Sequence, residues 1–339
     1  MPSSGALKAI LLLFSLLPQT GSPPSDQTRI AETLERVRVK PGKSVQYDYA
    51  MTVRVRLLFF WVGKDDVGEG YIRHAIAKDD PREEMIQILF GSDPGKAPRN
   101  INRWGAGTEI QWHNSPIAEL SVAPGGDVTS SAFFGFMKSS KGKSVSEMQA
   151  ELKKEGQNGE HMFNGILSSV AAGRAVSTVA PLASNIDYNL HQYEQAESIM
   201  YDKLRILDHP IRVLAGKDSC ERNRQFLGTV AELIDAALAG KSGNRPLCYV
   251  YDSKFNTLTL EHTEKVKTTE VKVRGVKGDS LIEKKYENLL AADFLSAEPA
   301  TGKKTYFTIL VGTEGDLRGV PVQIRYQPNW WFQIVLNLH

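Results

Sequence analysis

Apolar and polar residues alternate along the chain from residue 51 to residue 61, and period-two alternation is typical of a β-strand. The second face of this segment begins with polar residues and ends with Leu58 and Phe60. A strand that becomes apolar on both faces requires a cover or borders a cavity. Turn-forming residues over 63–70 then predict a hairpin, with a return strand over 71–77.

The last ninety residues show the same alternation. One apolar face over 320–326 is followed by the turn residues 327–329 and by a final alternating strand over 330–338. Two such segments joined by a short turn predict an antiparallel meander. Because Trp330 and Trp331 are neighbours, we expect their rings on opposite sides, with one ring in the core.

Helical spacing and capping residues predict three helices, over 81–90, 145–155 and 220–239. The first rests on Asp80, Pro81 and Glu83, which together satisfy the rules for a capped helix start. The predicted fold class is therefore α+β: a curved, mostly antiparallel sheet, an open half-barrel, covered in part by these helices.

The first 24 residues predict a signal peptide. Lys8 precedes an apolar run over 9–17, which is too short to span a bilayer, and helix-breaking residues follow. We expect cleavage between Thr20 and Asp26 and export of a soluble product to a periplasm or the cell exterior.

In such an oxidising compartment the two cysteines, Cys220 and Cys248, predict a disulfide worth roughly 3.5 kcal/mol by loop-closure entropy. Two separate buried thiols are the alternative.

The composition mainly excludes two classes of protein, nucleic-acid-binding proteins and proteins with transmembrane helices. The 339 residues contain 41 Lys and Arg against 39 Asp and Glu, so the chain has no basic footprint for nucleic acid. No later segment is apolar enough for a transmembrane helix.

The glycine-rich and alanine-rich stretch 164–184 divides the mature chain into an N-terminal part, 25–160, and a C-terminal part, 161–339. One continuous domain over 45–339 is the alternative.

Sequence motifs for catalysis are largely absent. Each of the three Gly-Lys-Ser triplets lacks the earlier glycine of a phosphate loop, and no nucleophile elbow occurs. The histidines are far apart in sequence, so we expect no metal and no cofactor. An enzyme would need distant residues to converge within about 6 Å, and the candidates are Asp65, His74, Arg103 and His113.

Residues 246–338 resemble the C-terminal half of uncharacterised bacterial envelope proteins in the lipoprotein-carrier (LolA-like) group. The resemblance rests on the strands after Cys248 (CYVY), an ordered segment with Phe294, the segment from Lys304 (KTYFTIL) and the segment from Leu317 (LRGVPVQIRY). It implies an open antiparallel half-barrel that holds an acyl chain or acts as a scaffold in the envelope. No functional residue of that group has a counterpart here.

These patterns favour a non-enzymatic exported envelope protein that binds a lipid or another apolar ligand in a cleft of the sheet. The predicted ligand-binding residues are Leu58, Phe60, Trp61, Trp330, Trp331 and Phe332. A scaffold protein that covers its aromatic face with an envelope partner is the alternative, and the dispersed enzyme site is the second alternative.

Overall fold

The computed structural model describes most of the predicted strands and one helix. The described residues are 41–57, 60–92, 103–114, 127–139, 154, 161–171, 174–184, 212–214, 226–241, 245–251, 254–274 and 281–339.

Fourteen antiparallel strands form one sheet in the described part of the chain. Its order is β8-β7-β6-β5-β4-β3-β2-β1-β14-β13-β12-β11-β10-β9, so most neighbours are consecutive hairpins and the first strand closes against the last. The predicted fold class is confirmed. The strands are β1 (Pro41–Leu57), β2 (Phe60–Ala77), β3 (Glu83–Ser92), β4 (Arg103–Asn114), β5 (Asp127–Ser139), β6 (His161–Ala171), β7 (Arg174–Ser184), β8 (Arg212–Leu214), β9 (Leu247–Tyr251), β10 (Lys254–Arg274), β11 (Leu281–Glu298), β12 (Lys303–Gly312), β13 (Pro321–Asn329) and β14 (Phe332–Leu338).

The sheet curves around one helix, α1 (Phe226–Leu238). This helix contacts β4 on one side and β9, β10 and β11 on the other. In a flat sheet β4 and β11 would lie roughly 34 Å apart, because seven strand spacings of about 4.8 Å separate them. A helix of 13 residues is only about 20 Å long and 10 Å wide, so the ten strands from β4 round to β9 must bend around it.

The face of the sheet that packs against α1, here called the helix face, contains the main core. Val230, Leu233 and Ile234 of the helix pack against Phe294 and Phe307 of β11 and β12. Leu227 belongs to a second cluster, which includes residues of β1 and β14 such as Tyr49, Met51 and Leu336. Cross-strand partners share a face, so the register extends the helix face across β1, β14, β13, β12 and β11.

The opposite face, here called the outer face, is covered in part by a long hairpin. The segments 261–274 and 281–288 of β10 and β11 extend beyond β12 and fold over the other strands. The Asn337 side-chain amide donates to the Lys272 carbonyl at 3.3 Å, and the Tyr286 hydroxyl donates to the Leu338 carbonyl at 3.0 Å. Val271 and Val273 are buried by this contact.

The predicted helix over 81–90 is wrong, because this segment forms the turn before β3 and most of β3 itself. The Asp80 carboxylate accepts from the Arg82 backbone N–H at 3.0 Å, so the capping residue closes a β2–β3 turn instead. Consecutive residues Met85, Ile86 and Gln87 are all buried. A strand buried on both faces has apolar residues at helical as well as strand spacing, which explains the error.

The predicted hairpin turn over 63–70 is also wrong. Leu57 pairs with Phe60, so the chain reverses there, and 63–70 lies inside β2. A side chain at Gly70 would collide with the Leu89 carbonyl of β3. The glycine in this segment therefore permits close approach of two strands rather than a turn.

The predicted helix over 220–239 is confirmed for its described part, Phe226–Leu238. The predicted helix over 145–155 lies outside the described residues except for residue 154. The predicted signal peptide and Cys220 also lie outside them. The disulfide with Cys248 therefore stays a prediction. The stretch 164–184 contains β6 and β7, and both predicted parts of the chain contribute strands to the same sheet. Within the described residues, no helix has the length and hydrophobicity to cross a bilayer.

Candidate functional site

The predicted ligand-binding residues come together where two neighbouring hairpins end. Phe60 and Trp61 lie at the tip of the β1–β2 hairpin, and Trp330, Trp331 and Phe332 lie at the tip of the β13–β14 hairpin. The Arg56 backbone N–H donates to the Trp331 carbonyl at 2.8 Å and joins the two tips. We call this surface the aromatic rim, and it consists of Leu57, Phe60, Trp61, Trp330, Trp331 and Phe332. The sixth predicted residue, Leu58, lies outside the described residues.

The rim is unusually exposed for aromatic residues. Trp330 is 70% exposed, Phe60 59% and Trp331 40%. The prediction that one of the two neighbouring tryptophans enters the core is wrong, because both lie in the turn before β14 rather than inside a strand. Contiguous exposed apolar surface is a mark of a binding site in a folded protein.

The strand register separates the rim into two sides. Val55 pairs with Phe332 and with Val62, and Leu57 pairs with Phe60, which places all five on the helix face. Arg56 pairs with Trp61, and Arg54 pairs with Gln333, which places these four on the outer face. One side of the rim is thus purely apolar, and the other combines tryptophan with arginine.

The apolar side continues directly from the core. Val53 is buried on β1, Val55 two residues further is half-buried, and Leu57 at the end is 50% exposed. We call Val55, Leu57, Phe60, Val62 and Phe332 the apolar strip. It lies on the same face that α1 covers elsewhere, and its residues become more exposed toward the hairpin tip.

The outer side of the rim contains arginines. Burial lowers the pKa of Arg325 on β13, and the nearby positive charge of Arg54 lowers it further, whereas the negative charge of Asp293 opposes this fall. Arg325 pairs with Val335 and therefore shares the outer face with Arg54 and Arg56. Its guanidinium donates to the Gln323 side-chain carbonyl.

A second polar site lies at the start of α1. The Glu109 carboxylate on β4 accepts from the Leu227 backbone N–H at 2.7 Å and from the Gln111 side-chain amide at 3.0 Å. Burial raises the pKa of the Glu109 carboxyl to about 7, although both hydrogen bonds oppose this rise. A carboxylate at the first turn of a helix is stabilised by the free amides there, so Glu109 fixes α1 against β4.

Other buried polar side chains lie near Glu109 on the helix face. On β3 and β4, Ile86 pairs with Gln111 and Glu84 pairs with His113. Ile86 also pairs with His74 on β2, so His74 lies in the same cross-strand row as Gln111. All of these polar residues are at least nine-tenths buried. The sequence analysis did not identify Glu109, because its burial depends on the helix that packs against it.

The four residues of the predicted enzyme site do not converge. Asp65 and His74 are nine residues apart on β2, and Arg103 and His113 are ten residues apart on β4, which correspond to about 30 Å or more in each strand. Asp65 accepts from the Thr52 hydroxyl at 2.8 Å, which accounts for its position. Arg103 lies at the start of β4. Among the described residues, no cluster of three or more metal-ligating side chains occurs.

Comparisons with known proteins identify a fold likeness without a function. No protein-family model matches the chain. No curated protein matches it either. The structure is similar to the crystal structure of a β-barrel-like protein of a domain of unknown function, DUF1849, from Brucella abortus. The likeness covers 89% of this chain and 97% of that one, with 10% sequence identity and a TM-score of 0.42.

Proposed function

We propose that this protein is an exported, non-enzymatic binding protein that holds an apolar chain, such as the acyl chain of a lipid, against the apolar strip. The observation that carries the proposal is the exposure of the helix face at Leu57, Phe60 and Val62, beside the half-buried Val55 and Phe332. Within the described part of the chain, α1 and neighbouring strands cover this face elsewhere, whereas they leave these residues exposed.

The position of the strip favours an elongated apolar ligand. The strip continues along the strand direction from the buried residue Val53 to the hairpin tip at Phe60. The four residue steps of β1 from Val53 to Leu57 span about 13 Å, which is comparable to the length of a medium acyl chain. A compact polar ligand would not gain from such a surface, because the strip offers no hydrogen-bonding side chain.

The energy available is sufficient for binding. Aromatic side chains bury 150–250 Å² each when fully covered, so covering the exposed half of Phe60 removes roughly 100 Å² from water. At about 25 cal/mol per Å², this contributes about 2.5 kcal/mol for one side chain. Several residues of the strip would together favour a ligand by more than the cost of ordering it.

The predicted export, and the resemblance of residues 246–338 to uncharacterised envelope proteins of the lipoprotein-carrier (LolA-like) group, agree with the same function. An envelope compartment contains lipids that must cross water, and a curved sheet with an apolar face suits such cargo. The proposal leaves the buried Glu109 site with a structural role, as the attachment of α1.

Titration with a fluorescent fatty acid tests the proposal. We expect saturable binding by the wild-type protein and at least a ten-fold weaker affinity for the double variant Leu57→Ser/Phe60→Ser. The matched control is Leu281→Ser/Ile282→Ser, which removes two comparably exposed apolar side chains from the β10–β11 hairpin. Equal loss in both variants, or no uptake by the wild type, would contradict an acyl-binding strip.

A further inference from the structure

The outer side of the aromatic rim has a chemistry that the apolar strip lacks. Trp61 lies beside Arg56 in the register, and Arg54 follows two residues away on the same face. Trp330 forms the apex of the neighbouring tip and is the most exposed large apolar side chain in the described part of the chain. An aromatic group with adjoining arginines faces solvent here rather than a core.

We infer that the aromatic rim docks on the surface of an anionic lipid bilayer, with Trp61 and Trp330 inserted at the headgroup level and Arg54 and Arg56 on lipid phosphates. This inference extends the proposed function, because a docked rim would place the apolar strip next to a source of acyl chains.

Side-chain chemistry supports a bilayer as the occupant. Tryptophan prefers the boundary between hydrocarbon and water, because its ring is apolar and its N–H needs a polar partner. Arginine binds phosphate oxygens through its planar donors, and each basic residue near an anionic surface contributes a favourable attraction. The rim combines both kinds of residue at the tips of two neighbouring hairpins.

Charge complementarity distinguishes this surface from a general apolar patch. Arg54, Arg56 and Arg325 share the outer face, and Arg54 and Arg325 are close enough for their charges to interact. Asp293 offsets part of this repulsion, and an anionic surface would relieve more of it. The other exposed apolar pair, Leu281 and Ile282, has no tryptophan beside it and serves as an internal comparison.

The geometry allows docking without rearrangement of the fold. Residues of the rim lie at hairpin tips, where backbone pairing ends, and the Arg56–Trp331 hydrogen bond fixes the two tips together. Interfacial anchors need only a few apolar side chains that reach beyond the polar surface. Trp330, at the apex, is placed to reach furthest.

Vesicle co-sedimentation of the full chain tests this inference. Vesicles of phosphatidylcholine with about one-third phosphatidylglycerol are compared with vesicles of phosphatidylcholine alone. We expect binding to the anionic vesicles that weakens as ionic strength rises, because screening shortens the range of the attraction. The double variant Arg54→Glu/Arg56→Glu should bind at least about 25-fold more weakly, at about 5-fold for each charge removed.

A control with the same change in net charge makes the test specific. Lys265→Glu/Lys267→Glu reverses two exposed lysines on the β10–β11 hairpin and should bind vesicles like the wild type. Trp61→Ser/Trp330→Ser should weaken binding to both kinds of vesicle. Equal effects of the arginine and lysine reversals, or no binding of the wild type to anionic vesicles, would overturn the inference.

Two further readouts separate the alternatives. A stable dimer in solution that Trp330→Ser dissociates would identify a second copy of the chain as the occupant and would overturn bilayer docking. If free glycerol phosphate bound the protein as tightly as the anionic vesicles do and displaced it from them, the ligand would be a soluble anion, and bilayer docking would also be overturned. Fatty-acid uptake is measured in the absence of vesicles, and vesicle binding is measured without added fatty acid. A negative result in one experiment therefore does not affect the interpretation of the other.

Discussion

Two rows of apolar residues cross the helix face side by side, and they differ in exposure. One row runs from Val53 through Ile334 and Tyr326 to Phe307 and Phe294. Tyr326 is 40% exposed, but Val53 and both phenylalanines are buried, and Phe294 is 1% exposed. The next row toward the hairpin tips contains Val55, Val62 and Phe332, and Val62 is 47% exposed. The same alternation thus produces core where α1 and its neighbouring strands provide a cover, and an exposed binding surface where the hairpins extend beyond it.

The largest expected effect is the loss of a packed ring from the covered row. Phe294 stacks on Phe307, with ring centroids 4.9 Å apart, inside the cluster beneath α1. Phe294→Ala should lower the free energy of unfolding by about 3–5 kcal/mol, because a cavity forms at a closely packed site. Urea denaturation measures this change. A loss below 1 kcal/mol would mean that the row beneath the helix is not well packed.

Glu109 tests how α1 covers the sheet. Its folded pKa, about 7, lies above its ordinary value of 4.5, so the folded state holds the proton more tightly than the unfolded state. Stability should therefore fall as pH rises from about 4.5 to about 7 and then stay lower, by an amount on the order of 3 kcal/mol.

The isosteric change Glu109→Gln should remove this fall, because glutamine does not ionise and its carbonyl still accepts from the Leu227 N–H. Comparing urea midpoints of both proteins at pH 5 and pH 8 measures the difference. The same pH dependence in wild type and variant would show that Glu109 is not the responsible group.

A smaller effect is expected where the β10–β11 hairpin covers the outer face. Tyr286→Phe removes the hydroxyl that donates to the Leu338 carbonyl and should cost about 1 kcal/mol of unfolding free energy. Tyr306→Phe, which changes an exposed tyrosine on β12, is the matched control and should be neutral. If the two variants were equally stable, the hairpin contact would contribute nothing measurable.

The smallest effect on stability is expected in the aromatic rim. Trp330→Ala should change the free energy of unfolding by less than about 0.5 kcal/mol, because most of the ring is already in water. The same variant should weaken vesicle binding clearly. A loss of several kcal/mol in stability would place Trp330 in the core and would remove the contrast between the two rows.

Local sequence patterns predicted the strands at both ends of the described chain and the helix that fills the curve. They also selected the residues of the rim, because the doubly apolar end of β1 and the aromatic start of β14 are visible without a structure. What they could not provide was the pairing of β1 with β14, which joins residues nearly 290 positions apart and brings Arg56 beside Trp331.

Errors arose where burial on both faces erased the strand pattern. β3 resembles a helix because the residues at its centre are buried on either side, and Gly68 and Gly70 resemble turn residues because close strand contact also requires glycine. The sequence did not identify Glu109, because the helix that covers it begins 117 positions later at Phe226. Each of these features depends on contacts between distant segments, which periodicity does not record.

Contact between an acyl chain and the rim can be measured directly by quenching of tryptophan fluorescence with a brominated fatty acid. The account predicts strong quenching when Phe60→Trp is added to Trp61→Phe/Trp330→Phe/Trp331→Phe, and little in that triple variant itself, where Trp104 and the buried Trp112 remain. Equal quenching in the two variants, or none with Phe60→Trp at saturating fatty acid, would contradict it.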